Sequence, residues 1–344
     1  MNNLLTNIYE QPAELKKVLD SLLNEYHDVV KTIAGKMNSA GRIILTSMGS
    51  AYYSLFPTYY YLKKAGYHVW LEQTSELLDE ISLLNENDVC ILMSRSGESY
   101  EVAKLPSILK ARGIETISIT MTPDSTMAKY SDYVLIDNST YDDLVCTKAY
   151  TSMALCGLFC AQTAWRGRVD DRTVNELFRM LDWMEANKEI VLGRLQQQSC
   201  LAEADGFYCL SRGYGIGVIE SASLWIEEEA KKCCHPSTID NFYHGPIEVI
   251  QNKVMNIFLN TEGNDRSCKI WKLICDNTDL SLYVGPEGQE GCGNIVLYYP
   301  EFDFDKEYYM ILLALFFQLI AYQCTLGAER VPGEFQILND WVVT

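Results

Sequence analysis

Three serines and a glycine that follow an apolar segment of the chain have the spacing of an anion-binding loop. The apolar run 89–93 is followed by Ser94, Ser96, Gly97 and Ser99, and then by a helix-forming sequence. A strand that turns into a helix here places serine hydroxyls beside the first N–H groups of the helix, which have no acceptor within it. Such a loop can bind a phosphate monoester without lysine. A serine-capped helix start without any ligand is the alternative.

Two other segments have a related design. Residues 43–52 predict a strand, a turn at Gly49 and a helix start, and the glycine would allow close approach of a ligand to the backbone. Residues 144–151 contain Thr147 and Lys148 and open a further apolar helix.

These three segments, in this order and spacing, resemble the sugar isomerase (SIS) domain of phosphosugar enzymes. They are similar to its glycine–serine loop, its S-x-S-G-x-[ST] phosphate loop and its T-K-[AG]-[YF] segment, and residues 8–12 are similar to the entry helix of the isomerase half of glucosamine-6-phosphate synthase. The resemblance implies a hexose-6-phosphate derivative as the substrate and a set of substrate-binding residues. This set is Gly49, Ser50, Ala51, Ser94, Arg95, Ser96, Ser99, Thr147 and Lys148.

The second half of the chain repeats the pattern of the first. Strand-like and helix-like segments alternate in both halves, which predicts an α/β fold with parallel sheets covered by helices on both faces. The predicted strands are 116–120, 133–136, 206–211, 254–259, 280–284 and 293–299, and a helix is predicted from about Val218 to Lys232. With the resemblance, this predicts two tandem SIS domains, each a flavodoxin-like three-layer sandwich. The expected divisions are an N-terminal helical entry segment (1–30), SIS domain 1 (31–175), a helical connector (176–203) and SIS domain 2 (204–344).

Candidate catalytic residues lie in the second half. Moving a proton between C1 and C2 of a sugar requires a carboxylate base near the carbon. The resemblance implies that this base is a glutamate preceding an H-G-P motif, which selects Glu228, or Glu227 if the intervening loop is one residue longer. It also implies that His244 opens the sugar ring, often across a subunit interface. A solvated helix face, and a turn histidine beside Gly245, are the structural alternatives.

Composition narrows the class of protein. The 344 residues carry a net charge of −18, which argues against nucleic acids and anionic membranes as partners. No run approaches the roughly 20 apolar residues of a membrane span, so 157–165 and 310–317 are interpreted as buried helices. The start of the chain lacks the pattern of a secretion signal, so we expect a cytoplasmic protein.

Twelve cysteines without a C-x-x-C pair indicate a reducing compartment and no metal site. The sequence Cys233-Cys234-His235 could suggest a metal ligand set, but adjacent cysteines do not have the usual spacing of zinc ligands. We therefore interpret these three residues as a packed helix terminus.

The resemblance to the synthase is incomplete. These 344 residues contain no segment that resembles a glutaminase domain, and none that resembles the lysine segment near the C-terminus of the synthase. Leu224 or Trp225 stands where the synthase has a lysine one turn before the glutamate. Segments 244–248 and 262–266 instead resemble fructosamine-type 6-phosphate deglycases, which use no cofactor or metal. Those enzymes usually have a glutamate where Asn241 stands.

Three functions remain open. The first is a deglycase that releases an amine or amino acid and a hexose 6-phosphate. The second is an amino-sugar-phosphate isomerase or deaminase, which the Thr147-Lys148 pair favours. The third is a non-catalytic phosphosugar sensor. For an enzyme of this resemblance, a homodimer or larger even oligomer is expected.

Overall fold

Two five-stranded sheets form the framework of the computed structural model, which describes residues 3–142, 145–261 and 263–337. All paired strands are parallel. The first sheet has the order β2-β1-β3-β4-β5 and consists of β1 (Arg42–Ser47), β2 (Val69–Gln73), β3 (Asp88–Ser94), β4 (Glu115–Thr120) and β5 (Tyr133–Ile136). The second has the order β10-β9-β8-β6-β7 and consists of β6 (Gly206–Ser211), β7 (Cys234–Thr238), β8 (Val254–Leu259), β9 (Ser281–Pro286) and β10 (Ile295–Tyr299). The predicted α/β class with parallel sheets is confirmed.

Helices connect the strands, as parallel pairing requires. Those of the first half are α1 (Asn3–Leu23), α2 (His27–Ser39), α3 (Gly49–Tyr53), α4 (Phe56–Lys64), α5 (Thr74–Asp79), α6 (Tyr100–Lys110), α7 (Thr126–Tyr130) and α8 (Lys148–Arg166). Those of the second half are α9 (Asp171–Gln196), α10 (Cys200–Glu203), α11 (Gly215–Ala230), α12 (Ile239–Tyr243), α13 (Asp265–Cys275) and α14 (Tyr309–Gly327). Short 3₁₀ helices are formed by Ile81–Leu83, Pro246–Gln251 and Lys306–Tyr308.

Apolar strands and helices form the cores. Every residue of β3 is buried, because a parallel strand covered on both faces has no solvent side. Residues 310–317 are fully buried in α14, as predicted. The helical stretch Lys306–Gly327 is long and apolar enough to cross a membrane, but 83% of its apolar window is buried in the fold, which is typical of a core helix.

Contacts divide the chain into two compact units. The first unit contains Glu10–Leu181 and Phe304–Ile311, and therefore the first sheet. The second contains the described residues up to Tyr9, Asp182–Asp303 and Leu312–Phe335, and therefore the second sheet. The domain divisions expected from the sequence stay a prediction.

The edge strands β2 and β7 were missed in the sequence. An edge strand needs ladder bonds on one side only, so β7 tolerates Pro236, which would weaken a central strand. The interpretation of Cys233, Cys234 and His235 as a helix terminus was wrong. Helix α11 ends at Ala230, where Lys231 adopts a left-handed conformation (φ 55°), and Cys234 and His235 belong to β7.

Candidate functional site

The carboxyl ends of β1 and β3 lie side by side in the first unit. The Ser47 hydroxyl at the end of β1 donates a hydrogen bond to the Met93 carbonyl near the end of β3. Strand β1 has β2 on one side and β3 on the other, so the connections from β1 and β3 diverge here. Parallel sheets bind ligands at such a point. Both predicted loops, at Gly49 and at 94–99, follow these strand ends.

The loop after β3 is held by its own side chains. The Gly97 N–H donates to Ser94 Oγ (2.9 Å), and the Glu98 N–H donates to Ser96 Oγ (3.3 Å). Gly97 adopts φ +65°, and Glu98 Oε1 accepts a bond of 2.7 Å from the Thr126 N–H. In these bonds both serine oxygens act as acceptors, which leaves their hydroxyl protons available to an anion.

The N-terminus of α6 adds backbone donors to this loop. Its N-cap Ser99 makes no side-chain capping bond, and the first bond of the helix runs from the Ala103 N–H to the Ser99 carbonyl (2.9 Å). The N–H groups of Tyr100, Glu101 and Val102 therefore have no acceptor within the helix. Together with the serine hydroxyls they form a set of donors suited to a phosphate group.

The Gly49 loop presents one unsatisfied group. Gly49 begins α3 with φ +55°, followed by Ser50 and Ala51. The Ser50 hydroxyl oxygen is shielded from solvent and has no hydrogen-bond partner in the described part of the chain. A buried hydroxyl without a partner costs about 1–3 kcal/mol, so a ligand or water bonded to Ser50 would be stabilised.

The Arg95 side chain connects the loop after β3 to Tyr141 and Asp142 rather than facing solvent. Its side chain is buried, an Nη1 bond of 3.3 Å reaches the Asp142 carbonyl, and its guanidinium lies 5.5 Å from the Tyr141 ring centroid. The Thr122 and Tyr141 hydroxyls donate to the Arg95 carbonyl at 3.1 and 3.0 Å. These contacts fix the backbone between Ser94 and Ser96.

Asp142 caps the helix that Thr147 and Lys148 begin. Its carboxylate accepts bonds from the Thr147 hydroxyl (2.8 Å) and from the N–H groups of Thr147, Lys148 and Ala149 (3.1, 3.0 and 2.9 Å). A carboxylate at this position also opposes the positive end of the helix dipole. Sequence reasoning missed Asp142, although an acidic residue shortly before an apolar helix is a recognisable signal.

Lys148 is buried in an ion pair. Its side chain is 3% exposed, and Nζ lies 2.9 Å from both Glu10 Oε2 and Thr140 Oγ1. The Thr147 hydroxyl, the Lys148 Nζ and the N–H groups of both residues therefore all have hydrogen-bond partners within the protein. A role in substrate binding stays a prediction for both residues.

The three glutamates of α11 in the second unit have three different environments. Glu227 is exposed, and its Oε1 accepts a bond from the Cys234 N–H (3.1 Å). Glu228 is half-buried. Glu229 is 2% exposed, its Oε2 accepts a bond from the Gly333 N–H (2.9 Å), and burial raises its pKa from 4.5 to about 7. The two neighbours of Glu228 thus have defined bonds to the backbone of the second unit.

His244 lies at a surface turn of the second unit. It follows α12, its backbone N–H donates to the Asn241 carbonyl (3.0 Å), and the side chain is exposed. The next residue, Gly245, has φ +147° and leads into the 3₁₀ helix Pro246–Gln251. Among the residues that the structure describes, none forms a hydrogen bond with the imidazole.

No three His, Cys, Asp or Glu side chains within residues 3–142, 145–261 and 263–337 converge to hold a metal ion.

Part of the first unit matches the model of a known domain family. Residues 36–160, which include both loops and the start of α8, match the family model of the SIS domain. This segment is a SIS domain. The resemblance inferred from the sequence is confirmed, and the SIS domain contains all nine residues of the expected substrate-binding set.

Relatives extend the likeness beyond the SIS domain. The isomerizing glutamine–fructose-6-phosphate aminotransferase of Streptococcus pyogenes is 25% identical over 260 residues, which cover 72% of this chain and 43% of that protein. The chain thus spans less than half the length of this curated relative.

Solved structures share the whole fold. The C-terminal domain of glucosamine–fructose-6-phosphate aminotransferase from Francisella tularensis matches with a TM-score of 0.83 at 14% identity, covering 96% of this chain and 98% of that one. A glucosamine-6-phosphate deaminase from Thermotoga maritima matches with a TM-score of 0.80 at 21% identity, covering 97% and 98%. These likenesses establish the fold of both units.

Proposed function

We propose that this protein is an enzyme that cleaves an amino-linked hexose 6-phosphate, as a fructosamine-type 6-phosphate deglycase does. The observation that carries the proposal is the donor set of the SIS domain after β3, where serine hydroxyls and first-turn N–H groups are available to one phosphate group. The net charge of −18 gives no long-range attraction for phosphate, so binding depends on these local donors.

Glu228 is the proposed base for the reaction. In an open-chain ketoamine its carboxylate removes a proton from C1, the electron pair of that C–H bond forms a C1–C2 double bond, and the C2 carbonyl oxygen takes a proton from water and becomes a hydroxyl. Protonation at C2 then gives an imine between C1 and the nitrogen, and water adds to C1 and releases the amine and a hexose 6-phosphate. The half-buried position of Glu228 supports this role, since a base must contact the carbon acid.

The environment of Glu228 argues against amino transfer. One turn before Glu228, where the synthase has a lysine, this chain has the half-buried Leu224 and the buried Trp225. Neither side chain can supply the charge of that lysine. Lys231, three residues later, donates to the backbone carbonyls of Glu228 and Glu334.

An amino-sugar-phosphate isomerase or deaminase is the second candidate. The Thr147-Lys148 pair favoured it in the sequence, but both residues have structural partners in Asp142 and Glu10, so their presence does not distinguish the subgroups. Asn241, which stands where deglycases usually have a glutamate, supports this second candidate.

A substrate panel tests the proposal. Ketoamine 6-phosphates of several amino acids and amino-sugar 6-phosphates are incubated with the protein, and the release of amino acid, ammonia and sugar phosphate is measured. Amino-acid release from a ketoamine supports the deglycase, and ammonia or ketose formation from an amino sugar supports the second candidate. Phosphosugar binding without turnover of any compound contradicts both and indicates a sensor.

A further inference from the structure

Residues 331–335, which we call the strap, lie against the C-terminal end of α11 within the second unit. The Gly333 N–H donates to Glu229 Oε2 (2.9 Å), and Lys231 Nζ donates to the Glu334 carbonyl (2.6 Å). Lys231 Nζ also lies 5.5 Å from the centroid of the Phe335 ring. Three separate contacts therefore attach the strap to Glu229, in the last turn of α11, and to Lys231, which follows the helix.

The same lysine joins the strap to the backbone of Glu228. Lys231 Nζ donates to the Glu228 carbonyl as well as to the Glu334 carbonyl. Lys231 also adopts a left-handed conformation (φ 55°), which is uncommon for a residue other than glycine. The strap and the backbone at Glu228 thus share one cation.

The Glu229 carboxylate has few partners for a buried acid. Its side chain is 2% exposed, and Oε1 is shielded from solvent with no hydrogen-bond partner among the described residues. Among the described residues, Lys231 is the charged group that acts on this carboxylate. Glu228 precedes it in α11, and the exposed Glu334 follows its bonding partner Gly333 on the strap. The Gly333 bond is the contact by which Glu229 holds another segment of the chain.

We propose that Glu229 is a positioning residue, which binds the strap to the end of α11 and thereby holds the backbone that carries Glu228. The proposal rests on the proposed function in one respect, namely that Glu228 acts as the base. The attachment of the strap itself is independent of any activity.

Docking of the strap should depend on pH in a defined direction. Burial raises the pKa of Glu229 from 4.5 to about 7, and this effect outweighs the Gly333 bond and Lys231, which lower it. If release of the strap exposes Glu229, its pKa falls back toward 4.5, so the docked form binds the proton more tightly. Docking is therefore strongest below about pH 4.5 and weakens as the pH rises through about 7.

Amide hydrogen exchange of the strap tests the proposal. Exchange at 331–335 is measured by mass spectrometry at pH 5.5 and 8.5 and corrected for the intrinsic dependence of exchange on pH. In the wild type we expect protection to fall by about tenfold or more between these values. Glu229→Gln keeps an acceptor but cannot ionise, so protection should persist at both values. Glu229→Ala loses the acceptor, and protection should fall about tenfold at both. Glu227→Gln, on the exposed neighbour, is the matched control and should behave as the wild type.

Kinetics on an active substrate tests the link to Glu228. Glu229→Ala should lower kcat more than it raises KM, and Glu229→Gln should retain kcat while flattening its pH profile between 5.5 and 8.5. Unchanged strap exchange in Glu229→Ala overturns the proposal, and a loosened strap with unchanged kcat overturns the positioning role. Absence of turnover in the wild type would count against the proposed function, whereas the exchange measurement would still decide whether Glu229 holds the strap.

Discussion

Consecutive residues of a helix point about 100° apart, so adjacent side chains of the same type meet different surroundings. In α11 this places Glu229 inside the second unit, leaves Glu227 on the surface and puts Glu228 between these extremes. For a proton abstraction, position decides more than acidity, because the base must lie within roughly 3 Å of the hydrogen-bearing carbon. The half-buried residue is therefore the best candidate of the three.

Replacement of Glu228 tests this assignment. Glu228→Gln keeps the shape and hydrogen bonding of the side chain but cannot accept a proton, so we expect kcat to fall at least about 10²-fold with KM little changed. Solvent deuterium incorporation at C1 should disappear as well. Glu227→Gln is the control, and if it shows these losses while Glu228→Gln does not, the base is Glu227.

The serine hydroxyls of the loop after β3 allow a second prediction at this scale. Ser96→Ala with Ser99→Ala removes two donors to a charged phosphate, each worth about 1.5–3 kcal/mol. We expect KM to rise at least about tenfold for a 6-phosphate substrate with kcat less affected. Ser107→Ala, on the exposed face of α6, is the control. Unchanged affinity in the double variant would contradict the assignment of the phosphate loop.

At the scale of elements, a glycine sets the shape of the connection between β3 and α6. Gly97 has φ +65°, and a Cβ atom on it would lie 2.3 Å from Ser125 Oγ and 2.6 Å from Ser125 Cβ. Gly113, at the other end of α6, has φ +72° but open space around it. A Cβ atom at Gly113 would cause backbone strain alone, whereas a Cβ atom at Gly97 would cause both backbone strain and a steric clash with Ser125.

Alanine at these two glycines gives a matched comparison. Gly113→Ala should lower the free energy of unfolding by about 1–2 kcal/mol, the cost of a left-handed residue with a Cβ. Gly97→Ala adds overpacking of about 1–3 kcal/mol against Ser125 and shifts the loop, so it should also weaken phosphate binding. Urea unfolding and phosphate titration measure both effects. Equal stability losses with unchanged phosphate affinity would show that the contact with Ser125 does not shape the loop.

At the scale of the whole molecule, the exposed position of His244 supports the proposal that it completes the site of a neighbouring subunit. An isologous dimer that exchanges this histidine would contain two shared sites. A subunit with an altered Glu228 and one with an altered His244 would then form one intact site together.

Mixing of Glu228→Gln and His244→Ala subunits tests this arrangement. With random exchange into dimers, half of the dimers are mixed and each has one intact site, so we expect about one quarter of the wild-type activity to return. Subunit exchange is confirmed separately with differently tagged chains. If exchange is complete and no activity returns, the site is not shared between subunits.

The sequence by itself predicted the α/β class, the central strands and the two loops at the ends of β1 and β3. Central strands such as β3 are recognisable because burial on both faces requires an unbroken apolar run, and glycines and serines after a strand reflect local turn geometry. These signals lie within a few consecutive residues. The edge strands β2 and β7 have weaker signals, since only one side of an edge strand must pair.

Only the tertiary structure decided how the candidate residues are used. Asp142 caps the helix of Thr147, Lys148 pairs with Glu10, and Glu229 binds Gly333, which is 104 residues away along the chain. The partners of Lys148 and Glu229 come together through packing of distant segments, so neither residue type nor spacing predicts them. The sequence thus predicted the fold class, the central strands and the two candidate binding loops, whereas burial and long-range hydrogen bonds in the tertiary structure determined which polar groups have protein partners and support the fold.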